Sequence, residues 1–255
     1  MRELETGIEA AKAAGAILKK GFGATCSIES KKGRHNLVTE YDKRCEETIF
    51  EVVRSTDPDA YFLAEESGAV GQKRDEMWII DPLDGTVNFA HHIPFFCVSI
   101  AYAQKGEVIC GVIYEPITGE LFTTSKGAGA HLRGRKLQVS NTKGDDSFTA
   151  TGFPYCTADN PLKCIDHFSS FCHTGMPIRL LGSAALHMAY VAAGRIDAFW
   201  EVLLNPWDYA AGALMVAEAG GVATHYDGSS LYDFAEGTVL ATNGLLHPYM
   251  QDTLC

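Results

Sequence analysis

Residues 77–89, MWIIDPLDGTVNF, carry an apolar run into Asp81 and then present Asp84, Gly85 and Thr86 in immediate succession. Pro82 cannot donate a ladder hydrogen bond, so the strand is expected to end there, with Asp84-Gly85-Thr86 as a tight turn. Two carboxylates and a hydroxyl then stand just beyond a strand end, and the amides of Gly85 and Thr86 are open to an anion. Ligands of layered α/β proteins gather at such strand ends. Taken singly, each acid has an ordinary explanation as a turn or cap residue. Their joint occurrence argues otherwise: Glu65 and Glu66 end the strand AYFLA, and Asp208 opens a helix after Asn205-Pro206-Trp207.

The elements that must position these groups fall into two sets. In the first half, Leu4, Ile8, Ala11, Gly15 and Leu18 mark one face of a helix stopped at Gly21, and CSIESKKGRHNLV reads as a polar, basic loop or ragged hairpin. A second helix starts at Thr39, with Asp42 in the capping-box position. Strands follow at AYFLAEE and MWIID, then a hairpin folded at Lys105-Gly106, then GELFTT. KGAGAHLRGRKL reads as a turn-rich connection. In the second half strands and helices alternate: SFTATGF, the helix PLKCIDHFSSFCH, PIRLLG, a helix capped by Ser183, RIDAFWEV, the helix WDYAAGALMVAEAGG and the strand GVATHY. The expected organisation is an α+β half over 1–145 and an α/β half over 146–255.

Lys and Arg number 21 against 32 Asp and Glu, a formal charge of −11 in 255 residues. That balance argues against a nucleic-acid surface, which needs clustered cations. No run reads as a membrane span or signal peptide, so a cytoplasmic location is the expectation. The eight cysteines then read as reduced thiols. Cys164, His167, Cys172 and His173 could suggest zinc, but they lack the paired spacing of a structural site, and Ile165, Phe168, Phe171 and Cys172 recur as the core face of a helix. His91 and His92 read as a polar turn before Pro94.

With LAEESG before it and NPWDYAAGALMVAEAGG after it, WIIDPLDGTVNF resembles the inositol monophosphatase family of metal-dependent, lithium-sensitive phosphatases. HNLVTEYD, the stretch from SKGAGAHLRGRKLQVS to TGFPY, and LLGSAALHMAYVAAGRIDAFWE fit the same order, from about residue 31 to about residue 221. The resemblance implies a layered αβαβα sandwich, with an antiparallel sheet in the N-terminal half and a mixed, partly parallel sheet in the C-terminal half. It implies metal ligands at Glu65, Asp81, the Leu83 carbonyl, Asp84 and Asp208. Thr86, paired with Asp42 and with Glu65 nearby, would orient or deprotonate the attacking water. Gly182, Ser183, Ala184 and Glu201 would contact the alcohol portion of the substrate, whose phosphate would lie against Asp84, Gly85, Thr86 and Asp208. Lys31 would be a mobile group over the metal site. Asn36 stands where many members carry an acid, which leaves the number of cations open. A homodimer is implied on the same ground.

An all-oxygen ligand set with no paired Cys or His favours Mg²⁺ over zinc. Four carboxylates and a phosphate would repel one another without two or three such ions, which reconciles an acidic chain with an anionic substrate. The expected reaction is hydrolysis of small phosphomonoesters, inositol monophosphate or a similar polyol phosphate, by in-line attack of metal-activated water. Histidinol phosphate, fructose 1,6-bisphosphate and nucleotide-derived phosphates are the alternatives within the family. Two other readings compete. A haloacid-dehalogenase-like phosphatase would need its two aspartates two apart on one strand face, whereas here the spacing is three with a proline between. A regulatory binding protein with the same fold and no turnover is the other.

Overall fold

The computed structural model describes residues 2–24, 28–30 and 37–255. The chain opens with α1 (Arg2–Gly21), the antiparallel pair β1 (Ile28–Ser30) and β2 (Leu37–Thr39), and α2 (Glu40–Thr56). β3 (Phe62–Ala64), β4 (Gly68–Val70) and β5 (Glu76–Asp84) lead into the short α3 (Thr86–Ala90). β6 (Cys97–Gln104), β7 (Glu107–Glu115), β8 (Glu120–Ser125), β9 (Gly129–Leu132) and β10 (Arg135–Lys136) complete a sheet in the order β10-β9-β8-β7-β6-β5-β3-β4. All its pairs are antiparallel except β3 with β5. The second sheet is built from β11 (Thr149–Thr151), α4 (Cys164–Thr174), β12 (Ile178–Arg179), α5 (Ala184–Ala192), β13 (Ala198–Leu204), α6 (Pro206–Glu218), β14 (Val222–Thr224), β15 (Gly237–Thr242) and α7 (His247–Leu254). Its strand order is β12-β11-β13-β15-β14, with β11 parallel to both neighbours and the remaining pairs antiparallel.

Strand alternation distributes side chains to three apolar layers. On β5, Trp78 and Ile80 point outward to Leu18 of α1 and Ile49 of α2, while Ile79 points inward. α5 and α6 fill the space between the sheets, and they are apolar nearly all round because both flanks are buried. On β13, Phe199 faces this central layer, whereas Ala198, Trp200 and Val202 face α4 and α7 through Phe171 and Met250. The result is the αβαβα sandwich, with the expected mixed second sheet and a first sheet that is antiparallel except where β3 runs parallel to β5. Truncating a central side chain such as Leu186 would cost about 2–5 kcal/mol.

Several expectations are corrected. β5 does not stop at Pro82 but continues to Asp84, because Asp81 pairs with Ser99 and Asp84 with Cys97, leaving an irregular step where the proline needs no ladder donor. KGAGAHLRGRKL holds two strands, β9 and the edge strand β10. In PLKCIDHFSSFCH the first three residues form a 3₁₀ turn, and α4 begins only at Cys164. Its buried face is Cys164, His167 and Phe171; Ile165 and Cys172 are exposed. His173 also lies on the outer side, so the four zinc candidates do not converge. The strand in PIRLLG is only Ile178–Arg179. β4, β15 and α7 were not anticipated. Among the described residues no helix is long and apolar enough to cross a membrane.

Candidate active site

The bulge that ends β5 turns both of its aspartates toward a cavity of about 710 Å³. Asp81, Leu83, Asp84, Gly85 and Thr86 line it from the first sheet, together with Glu65 at the end of β3. Asp208 of α6, Glu201 of β13 and the Gly182–Ser183–Ala184 turn line it from the second. Every ligand and substrate position expected from sequence except Asp42 therefore borders one space. Asp42 is fully buried behind Thr86. Lys31 and Asn36 lie outside the described residues.

Local structure explains each placement. Glu65 follows the parallel β3–β5 pairing, its amide donating to the Ile80 carbonyl at 3.2 Å. The turn after it is tied down by buried Glu46, which accepts the Glu66 amide at 3.0 Å and the Ser67 hydroxyl. Asp81 accepts the Leu83 amide at 3.0 Å. Asp84 accepts the Ser183 hydroxyl at 2.5 Å and the Ala185 amide at 2.7 Å, so the start of α5 clamps it. Ser183 also caps that helix through Leu186, and its hydroxyl is thereby committed to protein partners. Asp208 accepts the Asn205 amide at 2.7 Å, the capping-box role at the third position of α6. Gly85 has φ 96°, and a Cβ there would lie 3.0 Å from the Phe95 carbonyl and 3.1 Å from that of Gly182. Only glycine meets both constraints.

Behind the cavity, the Thr86 hydroxyl donates to Asp42 at 2.8 Å, with the Leu83 carbonyl 3.0 Å away. Asp42 is held in turn by the Thr39 amide and hydroxyl at 2.8 and 2.6 Å. This is the expected capping box at the start of α2, and it aims the carboxylate at Thr86.

Electrostatically the site is under strain. Burial, then the charges of Glu65, Asp84 and Asp208, hold the Asp81 carboxyl well above the ordinary carboxylate range. Asp208 is raised by burial and by Glu65 and Asp84. Burial pushes Asp84 up to about 6, opposed by the Ser183 and Ala185 hydrogen bonds. Burial and Asp84 push Glu201 up to about 8. Among the described residues no Lys or Arg lines the cavity, while Glu236 adds a further acid to it. Nor do three His, Cys, Asp or Glu side chains among them already form a closed metal cage. The donor set, carboxylates and a carbonyl crowded in low dielectric, is one a hard cation would suit.

Two positioning residues escaped the sequence reading. Asn88 of α3 donates to the carbonyls of Phe95 and Leu181, both at 2.7 Å, pinning the Gly182 turn against the Asp84 turn. Its position in GTVNF, directly after the acidic motif, was the available signal. Glu46 lies four residues after Asp42, on the same helix face, where a buried acid needs a reason.

The inositol monophosphatase family matches residues 1–255, the whole chain. The chain belongs to the inositol monophosphatase family. An inositol-1-monophosphatase of Synechocystis is 42% identical over 257 residues, covering 98% of this chain and 88% of that relative. A protein named Nus factor SuhB, from Escherichia coli, is 40% identical, covering 94% of this chain and 91% of its own length. The crystal structure of the extragenic suppressor protein suhB from Bartonella henselae superposes with a TM-score of 0.93 at 37% identity, covering 100% of this chain and 98% of that one. Family membership thus spans both sheets and all sides of the cavity.

Proposed function

We propose that this inositol monophosphatase family member hydrolyses small phosphomonoesters, preferentially of a polyol such as inositol, with two or three Mg²⁺ ions held by Glu65, Asp81, the Leu83 carbonyl, Asp84 and Asp208. The single observation that supports this most is the convergence of those groups on one cavity. Bound there, Mg²⁺ would neutralise the acids, polarise the phosphoryl group and lower the pKa of water.

The chain's own residues supply the rest. Thr86 borders the cavity with its proton committed to Asp42, so its oxygen lone pairs are available to an attacking water. Burial raises the Asp42 carboxyl, a direction that suits a group accepting a proton through Thr86. Glu65 stands as a second base beside the same space. Across the cavity, Glu201 and the backbone of the Gly182–Ala184 turn face where the alcohol would lie. Asp84, clamped by α5, links the two sides.

The Nus factor relatives give weight to a second reading, a regulatory binding protein. One assay separates the two: phosphate release from inositol 1-phosphate, histidinol phosphate, fructose 1,6-bisphosphate and adenosine 3′,5′-bisphosphate, with Mg²⁺ present or chelated, and with Li⁺ added. Mg²⁺-dependent release that favours the inositol ester and falls with Li⁺ supports the proposal. No metal-dependent release from any of them would leave the binding reading.

A further inference from the structure

β11 and β13 run parallel, with Thr149, Ala150 and Thr151 opposite Ala198, Phe199 and Trp200. One step further, Gly152 and Glu201 emerge side by side into the cavity, and both line it. A Cβ built on Gly152 would stand 2.2 Å from Glu201 Oε2 and 2.5 Å from Oε1, inside contact distance of the carboxylate. Gly152 is not among the residues with positive φ, so its backbone does not demand glycine. What demands it is the close approach of the acid.

We propose that Gly152 is a specificity-positioning residue, whose missing side chain lets the Glu201 carboxylate stand in the cavity and select substrates with hydroxyl donors on the alcohol side. The inference rests on the phosphatase reading for its substrate class, but its geometry is independent of turnover. The crowding falls on the far end of a flexible side chain rather than on backbone. An alanine at 152 would therefore leave the strand in place and push the carboxylate aside by about 1 Å, enough to break a hydrogen bond of ordinary geometry. The phosphate end of the site, at Asp81, Asp84 and Thr86, would be untouched.

The test uses the full chain with Mg²⁺ and the variants Gly152→Ala, Glu201→Ala and the double variant. Calorimetry measures the affinity of a myo-inositol 1-phosphonate and of methylphosphonate, whose P–C bonds a phosphatase does not cleave, and KM and kcat are measured with inositol 1-phosphate and p-nitrophenyl phosphate. Gly152→Ala should weaken the inositol phosphonate about tenfold, the loss of one hydrogen bond, while methylphosphonate changes less than twofold. KM for inositol 1-phosphate should rise more than kcat falls. The double variant should bind no more weakly than Glu201→Ala alone, because removing the acid relieves the crowding. Equal losses on both phosphonates, additive losses in the double variant, or no loss at all would overturn the inference. A wild-type protein that discriminates between the phosphonates yet hydrolyses no ester would sink the phosphatase reading and leave Gly152 in its role. Hydrolysis without that discrimination would do the reverse, and binding of neither phosphonate would overturn both.

Discussion

Asp84→Asn separates stability from function more sharply than any other change at this site. Burial lifts the Asp84 carboxyl from its ordinary 3.8 to about 6. A carboxyl raised on folding stabilises the native state below its unfolded pKa and loses that contribution as pH climbs through the folded one, here between pH 3.8 and about 6. Above that window, without cations, the ionised group costs the fold at most about 3 kcal/mol, at ~1.4 kcal/mol for each pH unit. An amide oxygen can still accept from Ser183 and Ala185. Asp84→Asn should therefore raise metal-free stability at pH 7.5 by about 1–3 kcal/mol, or roughly 2–10 °C in Tm for a chain of this size. The same change removes one ligand and one charge, so the rise in Tm on adding Mg²⁺ should shrink from several degrees to near zero, and phosphate release should fall at least a hundredfold. The assay is thermal unfolding of wild type and variant at pH 7.5, with EDTA and with excess Mg²⁺. A variant less stable than wild type in EDTA, yet stabilised as much by Mg²⁺, would refute the argument that these acids are held in repulsion for a cation.

Asn88→Ala should lower kcat/KM about tenfold or more and destabilise the fold by ~1–2 kcal/mol, since two partly buried carbonyls lose their donor; kinetics alongside denaturant unfolding would show it, and unchanged kinetics would remove Asn88 from the site. His187 accepts the Leu181 amide through Nε2 while burial drops it to about 3, so the fold holds it neutral. Because the folded pKa is depressed, its stabilising contribution is complete above 6.5 and declines as pH falls toward 3, by up to ~1.4 kcal/mol per pH unit. His187→Gln should flatten the difference in unfolding free energy between pH 7 and pH 5; an unaltered slope would contradict this.

Where the sequence was readable, the reason was local. Thr39 with Asp42 announces a helix start, and the structure forms that capping box. Ser183 caps α5 as its position before an apolar run suggests. The acidic motifs lie at strand and helix ends, and those ends meet in space. What was hidden depends on pairing across the fold. Pro82 signals a strand end when read alone, but β6 carries β5 past it through an irregular step. β15 is a short run, GTVLAT, whose burial comes from lying between β13 and β14 with Val239 and Ala241 against the central layer and Leu240 against α7. The inward face of α4 is rotated from the apolar pattern, because Cys164 and Phe171 pack in one layer with β13 and α7 and His167 packs edge-on against Tyr226, while Ile165 is left outside. Asn88, Glu46 and Gly152 meet Leu181, Glu66 and Glu201, partners 20 to 93 residues away that no spacing rule exposes.

Whether acids scattered along the chain hold hard cations against a phosphoryl group can be seen by diffraction. Crystals grown with Mn²⁺ and inorganic phosphate would locate each cation by anomalous scattering. Cations are expected on Glu65, Asp81, Asp84 and Asp208, with phosphate bridging them beside Thr86. Cations bound elsewhere, with those carboxylates unligated and phosphate absent from the cavity, would contradict that arrangement.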